Sequence, residues 1–111
     1  MVNWPAIIKY SNDPELIYVS DQSEWENDVD LYCFEYDESD CLIDSSGDIY
    51  ALTKTNNKFI KPEANGDSMS LEEILGLVKA HAAQKGACCV AKLYAPTISN
   101  AFKIVGSLNE I

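Results

Sequence analysis

Between Lys9 and Lys54 the chain carries thirteen carboxylates and not one lysine or arginine, yet the same stretch holds Tyr10, Tyr18, Trp25, Tyr32, Phe34, Tyr36 and Tyr50. An acidic segment poor in aromatic residues stays unfolded, because it cannot bury enough apolar surface to offset the entropy of ordering its backbone. Rings at this density predict a folded segment instead. Its carboxylates must then sit where water or backbone N–H groups can meet them, which means turns, helix caps and exposed faces. This requirement divides the stretch into short elements.

Period-two apolar runs flank Ser11, Asn12, Asp13 and Pro14, so residues 5–10, with Ala6, Ile8 and Tyr10 on one face, and residues 15–19 are expected to form a hairpin. Asp21, with Glu24 three residues later, has the spacing of a capping box and opens a short acidic helix running to about Asp28. Residues 31–36 alternate strictly and read as a strand presenting Tyr32, Phe34 and Tyr36. A turn at residues 37–40 follows. Asp44, Ser45, Ser46 and Gly47 separate two further strands, residues 41–43 and 48–52, and the glycine supplies the left-handed backbone of a tight hairpin. Residues 58–61 read as a short edge strand ended by Pro62, and residues 64–67 as a loop.

The C-terminal third changes period. Ser70 to Glu73 is a capping box opening a helix with Leu71, Ile74, Leu75, Val78 and Ala82 along one stripe, ended by Gly86 as C′ residue. Residues 88–94 read as an apolar strand. Pro96 and Thr97 begin a last helix with Ile98, Ala101, Phe102, Val105 and Leu108 on one face, weakened by Gly106. Strands followed by helices imply an α+β fold: a largely antiparallel sheet of about six to seven strands, two amphipathic helices on one face and one short acidic helix. With 111 residues, no repeat and no linker, residues 1–111 are expected to form a single domain.

The net charge of −10 and the absence of arginine exclude nucleic acid as a partner, since phosphate contacts need basic side chains. The longest apolar runs, such as residues 87–91, fall far short of the roughly 20 residues a membrane span requires. Residues 1–10 have neither a basic region nor a long apolar core of the secretory kind, so a cytoplasmic location is expected. In a reducing compartment Cys33, Cys41, Cys88 and Cys89 are free thiols, and packing is their ordinary use.

Three chemical constellations are open. Asp37, Asp40, Asp44 and Asp48 are clustered enough to raise calcium, but no window has the acidic alternation, glycine and terminal glutamate of a calcium loop, and two successive aspartate turns account for the same residues. No cofactor or metal is expected. His81, beside the apolar stripe of its helix, could pair with Cys88 or Cys89 in a small thiol-dependent enzyme or redox regulator, although a helix-surface histidine is the commoner outcome. The main expectation is a non-enzymatic acidic module of inhibitor, immunity or adaptor type that engages a basic protein surface. Its candidate binding residues are Glu24, Trp25, Glu26, Asp28 and Asp30, an aromatic ringed by charge, against the alternative of Trp25 as a core residue of a short amphipathic helix. If the strands run up and down throughout, Asp13, Glu15, Asp37, Glu38 and Asp40 gather at one end of the sheet, and the acids from Asp21 to Asp30 with Asp44 and Asp48 at the other. If the short helix is instead a crossover to a parallel strand, the 37–40 turn changes ends.

The segments Pro5-Ala6-Ile7-Ile8-Lys9-Tyr10, Asp40-Cys41-Leu42-Ile43-Asp44-Ser45-Ser46-Gly47 and Ser70-Leu71-Glu72-Glu73-Ile74 through Cys88-Cys89 resemble a small family of uncharacterised gammaproteobacterial proteins. The resemblance covers nearly the full chain and implies a bacterial, stand-alone, single-domain protein of unknown role.

Overall fold

The computed structural model describes residues 2–28, 31, 36–54, 60–87 and 90–109. Five strands form one antiparallel sheet: β1 (Ala6–Lys9), β2 (Leu16–Val19), β3 (Cys41–Asp44), β4 (Asp48–Lys54) and β5 (Ile60–Ser68), in the spatial order β2-β1-β3-β4-β5. Among the described residues three helices accompany it, α1 (Gln22–Asn27), α2 (Leu71–Gln84) and α3 (Ile98–Asn109).

The first hairpin forms as its pattern dictates. Ile8 lies opposite Ile17 and Ala6 opposite Val19, while Asn12 adopts φ 59° in the turn and the Asp13 carboxylate accepts the Glu15 N–H at 2.9 Å. β3 pairs with the other side of β1, Ile7 opposite Ile43. Both neighbours of β1 are antiparallel to it, so β2 and β3 run in the same direction and the chain must return from the Val19 end to the Cys41 end. α1 begins that return.

The expected six to seven strands are not matched: the described residues form five. Residues 32–35 of the expected strand at 31–36 lie outside the described residues, as do 58 and 59. The expected strand at 88–94 is corrected: Val90–Lys92 is a 3-10 turn, with the Leu93 N–H bonded to the Val90 carbonyl at 3.0 Å. An apolar run without alternation fits a partly buried turn as well as a strand, and here it links two helices that pack on each other. The loop expected at residues 64–67 is a bulge inside β5. Asp48 pairs with Ser68 but Tyr50 with Ala64, and the extra residues include Gly66 at φ 87°. Pro62 is tolerated because β5 is an edge strand.

Helix boundaries follow their caps. Asp21 accepts the Glu24 N–H at 2.8 Å, and Ser70 and Glu73 form a reciprocal capping box. α2 closes in a Schellman motif, with the Ala87 N–H on the Ala82 carbonyl and Gly86 at φ 78°. Thr97 caps α3 by accepting the Asn100 N–H at 3.1 Å.

Strand alternation builds two cores. Ile7, Leu16 and Ile43 point toward α2 and α3, where Ile74, Val78, Ala101, Phe102 and Val105 bury them. Ala6, Ile8, Val19, Leu42 and Tyr50 point the other way, against Trp25 and Leu31. The second face is thus also covered, its margin closed by the partly buried Trp4, Tyr10 and Tyr36.

Candidate functional site

The acids fall into two groups at opposite ends of the sheet. At one end the Asp40 carboxylate accepts the Ser11 N–H at 2.6 Å and the Asp37 N–H at 2.8 Å, tying the β1–β2 turn to the turn before β3. At the other end Asp44 is fully buried. One of its oxygens accepts the Ser46 and Asp48 N–H groups at 2.9 and 3.1 Å, the other the Asn3 N–H and the Tyr50 hydroxyl at 2.9 and 3.1 Å. Four residues of strand, at about 3.3 Å each, separate Asp40 from Asp44, while a calcium ion holds its ligands at about 2.5 Å. One cation cannot use both. Among the described residues no group of three or more His, Cys, Asp and Glu side chains is placed to hold a metal. Backbone N–H groups occupy these carboxylates, as the turn reading of the sequence requires.

α1 carries most of the expected binding residues. Trp25 is 5 % exposed and belongs to the core between α1 and the sheet, so its ring anchors the helix from below. Glu24 and Glu26 are exposed on the same helix, and Asp28 is half-buried at its C-cap. Asp30 lies outside the described residues. Glu24 reaches back to the Ser20 hydroxyl at 2.5 Å, and Glu26 accepts from the Gln22 amide at 2.8 Å. Neither meets a lysine among the described residues. The ion pair found there is Lys85 with Glu15, at 3.5 Å and well exposed.

His81 departs from the helix-surface expectation, since it is fully buried. The Leu16 N–H donates to its Nδ1 at 3.0 Å, its Nε2 stands 2.9 Å from Asn109 Oδ1, and the Asn109 amide donates to the Leu16 carbonyl at 3.0 Å. These three bonds close a ring. An accepting Nδ1 assigns the proton to Nε2, so the imidazole is neutral, and burial lowers its pKa from the ordinary 6.5. With both nitrogens engaged it has none left to activate a thiol. Cys88 and Cys89 lie outside the described residues; Cys41 is a free, half-buried thiol whose pKa burial raises. The position was legible, because residue 81 stands seven after Ile74 and three after Val78, within the buried stripe of α2.

Beside this ring runs a groove of about 520 Å³ along the outer edge of β2, lined by Glu15, Ile17, Tyr18, Ser20, Glu24, Lys85, Gly106 and Asn109. The Tyr18 ring lies flat on α3 at Gly106, where a Cβ would stand 2.8 Å from it. Burial, then Glu24 and Asp21, raise the pKa of this phenol. The groove was not foreseen: Tyr18 and Glu15 read as ordinary strand residues, and it takes two helices folded back on β2 to make its walls.

Among the described residues no helix is long and apolar enough to cross a membrane. No curated protein matches the chain. Among solved structures it is similar to a protein from Shewanella amazonensis determined by NMR, with a TM-score of 0.70 and 22% identity over 96% of this chain and 90% of that one. That likeness shows the fold. The model of the DUF4144 family, described as a protein structure with unknown function, matches residues 4–105, and the chain belongs to that family.

Proposed function

We propose that the protein is a non-enzymatic binding module that engages a basic protein surface, with Glu24, Glu26 and Asp28 of the α1 region at the contact. One observation carries the reading: α1 is pinned by a buried Trp25 while Glu24 and Glu26 stand exposed with no lysine beside them among the described residues. A rigidly mounted, uncompensated pair of carboxylates is complementary to cationic side chains and repels acidic ones. With Trp25 below the surface, the contact is polar and acts more through steering than through an aromatic anchor. The free Cys41 thiol supports a reducing, cytoplasmic setting. The thiol-enzyme alternative gains nothing from an imidazole committed to Leu16 and Asn109.

The test is calorimetric titration with a lysine-rich peptide at low and high salt, on wild type, Glu24→Lys with Glu26→Lys, and Glu63→Lys with Asp67→Lys on the distant β5. Binding should weaken with salt and be lost only in the α1 variant, because exposed charges are screened beyond about 8 Å at physiological ionic strength. Equal losses in both variants would mean an unlocalised charge effect and defeat the proposal.

A further inference from the structure

Resting on the basic-partner reading, we infer that the groove along β2 is the docking site for an extended segment of that partner, which adds to the sheet edge at Tyr18 and places cationic side chains on Glu15 and Glu24. β2 is an outer strand of the sheet, with β1 on one side only. Backbone groups in an antiparallel pair alternate between facing the neighbour and facing away. Leu16 spends its N–H and carbonyl on His81 and Asn109, so it faces outward, and Tyr18, two residues on, faces outward too. Ser20, next in the alternation, has its N–H near Glu24 at 3.4 Å. Tyr18 therefore offers a donor and an acceptor on an edge whose flanking positions are already occupied. Such a pair recognises a peptide backbone, as in strand addition.

The groove's ends supply the charge preference. Glu15 and Glu24 line it, and the cation among its described lining residues, Lys85, pairs with Glu15 with both side chains more than a third exposed. Pairs of that kind contribute about 0–1 kcal/mol, so an incoming lysine or arginine displaces Lys85 at little cost. From Leu16 to Ser20 the edge spans about 13 Å at roughly 3.3 Å per residue, room for a segment of about five residues. The ring at Leu16 sets its limit on one side, and the Glu24 contact with Ser20 sets it on the other.

The probe is the capped peptide Lys-Thr-Val-Thr-Lys, followed by amide NMR of the protein, beside the same peptide N-methylated at valine and an Asp-Thr-Val-Thr-Asp control. The Tyr18 amide should shift and gain exchange protection, N-methylation should weaken binding about fivefold or more through loss of a backbone hydrogen bond, and the acidic control should not bind. Glu15→Gln with Glu24→Gln should weaken it about tenfold. Shifts confined to Glu26 and Asp28, or equal binding of the N-methylated peptide, would overturn the groove while leaving the basic-partner reading standing. If this peptide fails at millimolar concentration while the lysine-rich peptide binds at α1, the groove alone is wrong; if neither binds, both readings fall.

Discussion

Among the described residues two polar side chains are fully buried, Asp44 and His81, and each has a consequence for stability. Asp44 carries three backbone N–H groups and the Tyr50 hydroxyl on one carboxylate, and burial with that hydrogen bond raises the Tyr50 pKa. Asp44→Ala leaves those donors without an acceptor, so a loss of about 3 kcal/mol or more is expected, seen as a lower urea midpoint at unchanged slope. Asp44→Asn should lose less, because it keeps one acceptor oxygen. His81 acts through the opposite charge logic. Its folded pKa lies below the ordinary 6.5, so between the two values the unfolded chain binds the proton that the folded protein refuses. The stability it contributes is complete above about pH 6.5 and is lost as pH falls from there through the folded pKa. His81→Gln cannot titrate, and the fall in stability between pH 7 and pH 5 should be shallower than in wild type by up to about 1.4 kcal/mol per pH unit. Parallel slopes would show that the histidine is not the titrating group. The aspartate duty could be read from its turn, whereas the histidine's depended on a backbone edge 65 residues away.

At the scale of elements, hairpins and caps were legible because their causes are local. Asp21, Ser70 and Gly86 act within a few residues of themselves, and the structure places each as its spacing requires. Gly106 shows where local reasoning stops. As a helix residue it costs about 1 kcal/mol relative to alanine, which predicts that Gly106→Ala stabilises. In the folded protein a Cβ there meets the Tyr18 ring at 2.8 Å, so crowding worth about 1–3 kcal/mol should outweigh the gain and the melting temperature should fall. In a Tyr18→Ala background the same change should become stabilising; additive effects would refute the contact. The strand expected at 88–94 failed for a related reason. Its apolar run has no alternation, and apolar composition alone does not choose between pairing with a strand and turning between helices.

For the whole molecule, the acidic excess works against folding. A net charge of −10 on 111 residues repels itself in the compact state, so raising sodium chloride from low to physiological strength should raise the melting temperature. An unchanged or lower value would mean that the acids are already compensated. The fold limits the repulsion by division: Asp13, Asp37 and Asp40 share the end where Ser11 meets Asp40, and Asp44 and Asp48 share the other. The placement is that expected of an up-and-down arrangement, although the chain crosses over β1 between β2 and β3. From its sequence alone the chain determined an α+β class, two hairpins, three capped helices and a strongly acidic balance, because periodicity, capping and charge act over a few residues or over the entire composition. Tertiary structure alone decided the strand order, the partners that Trp25 and His81 meet, and the groove beside Tyr18. Each of these depends on which distant segments meet, and a meeting of β2 with the ends of α2 and α3 is written in no single stretch of residues.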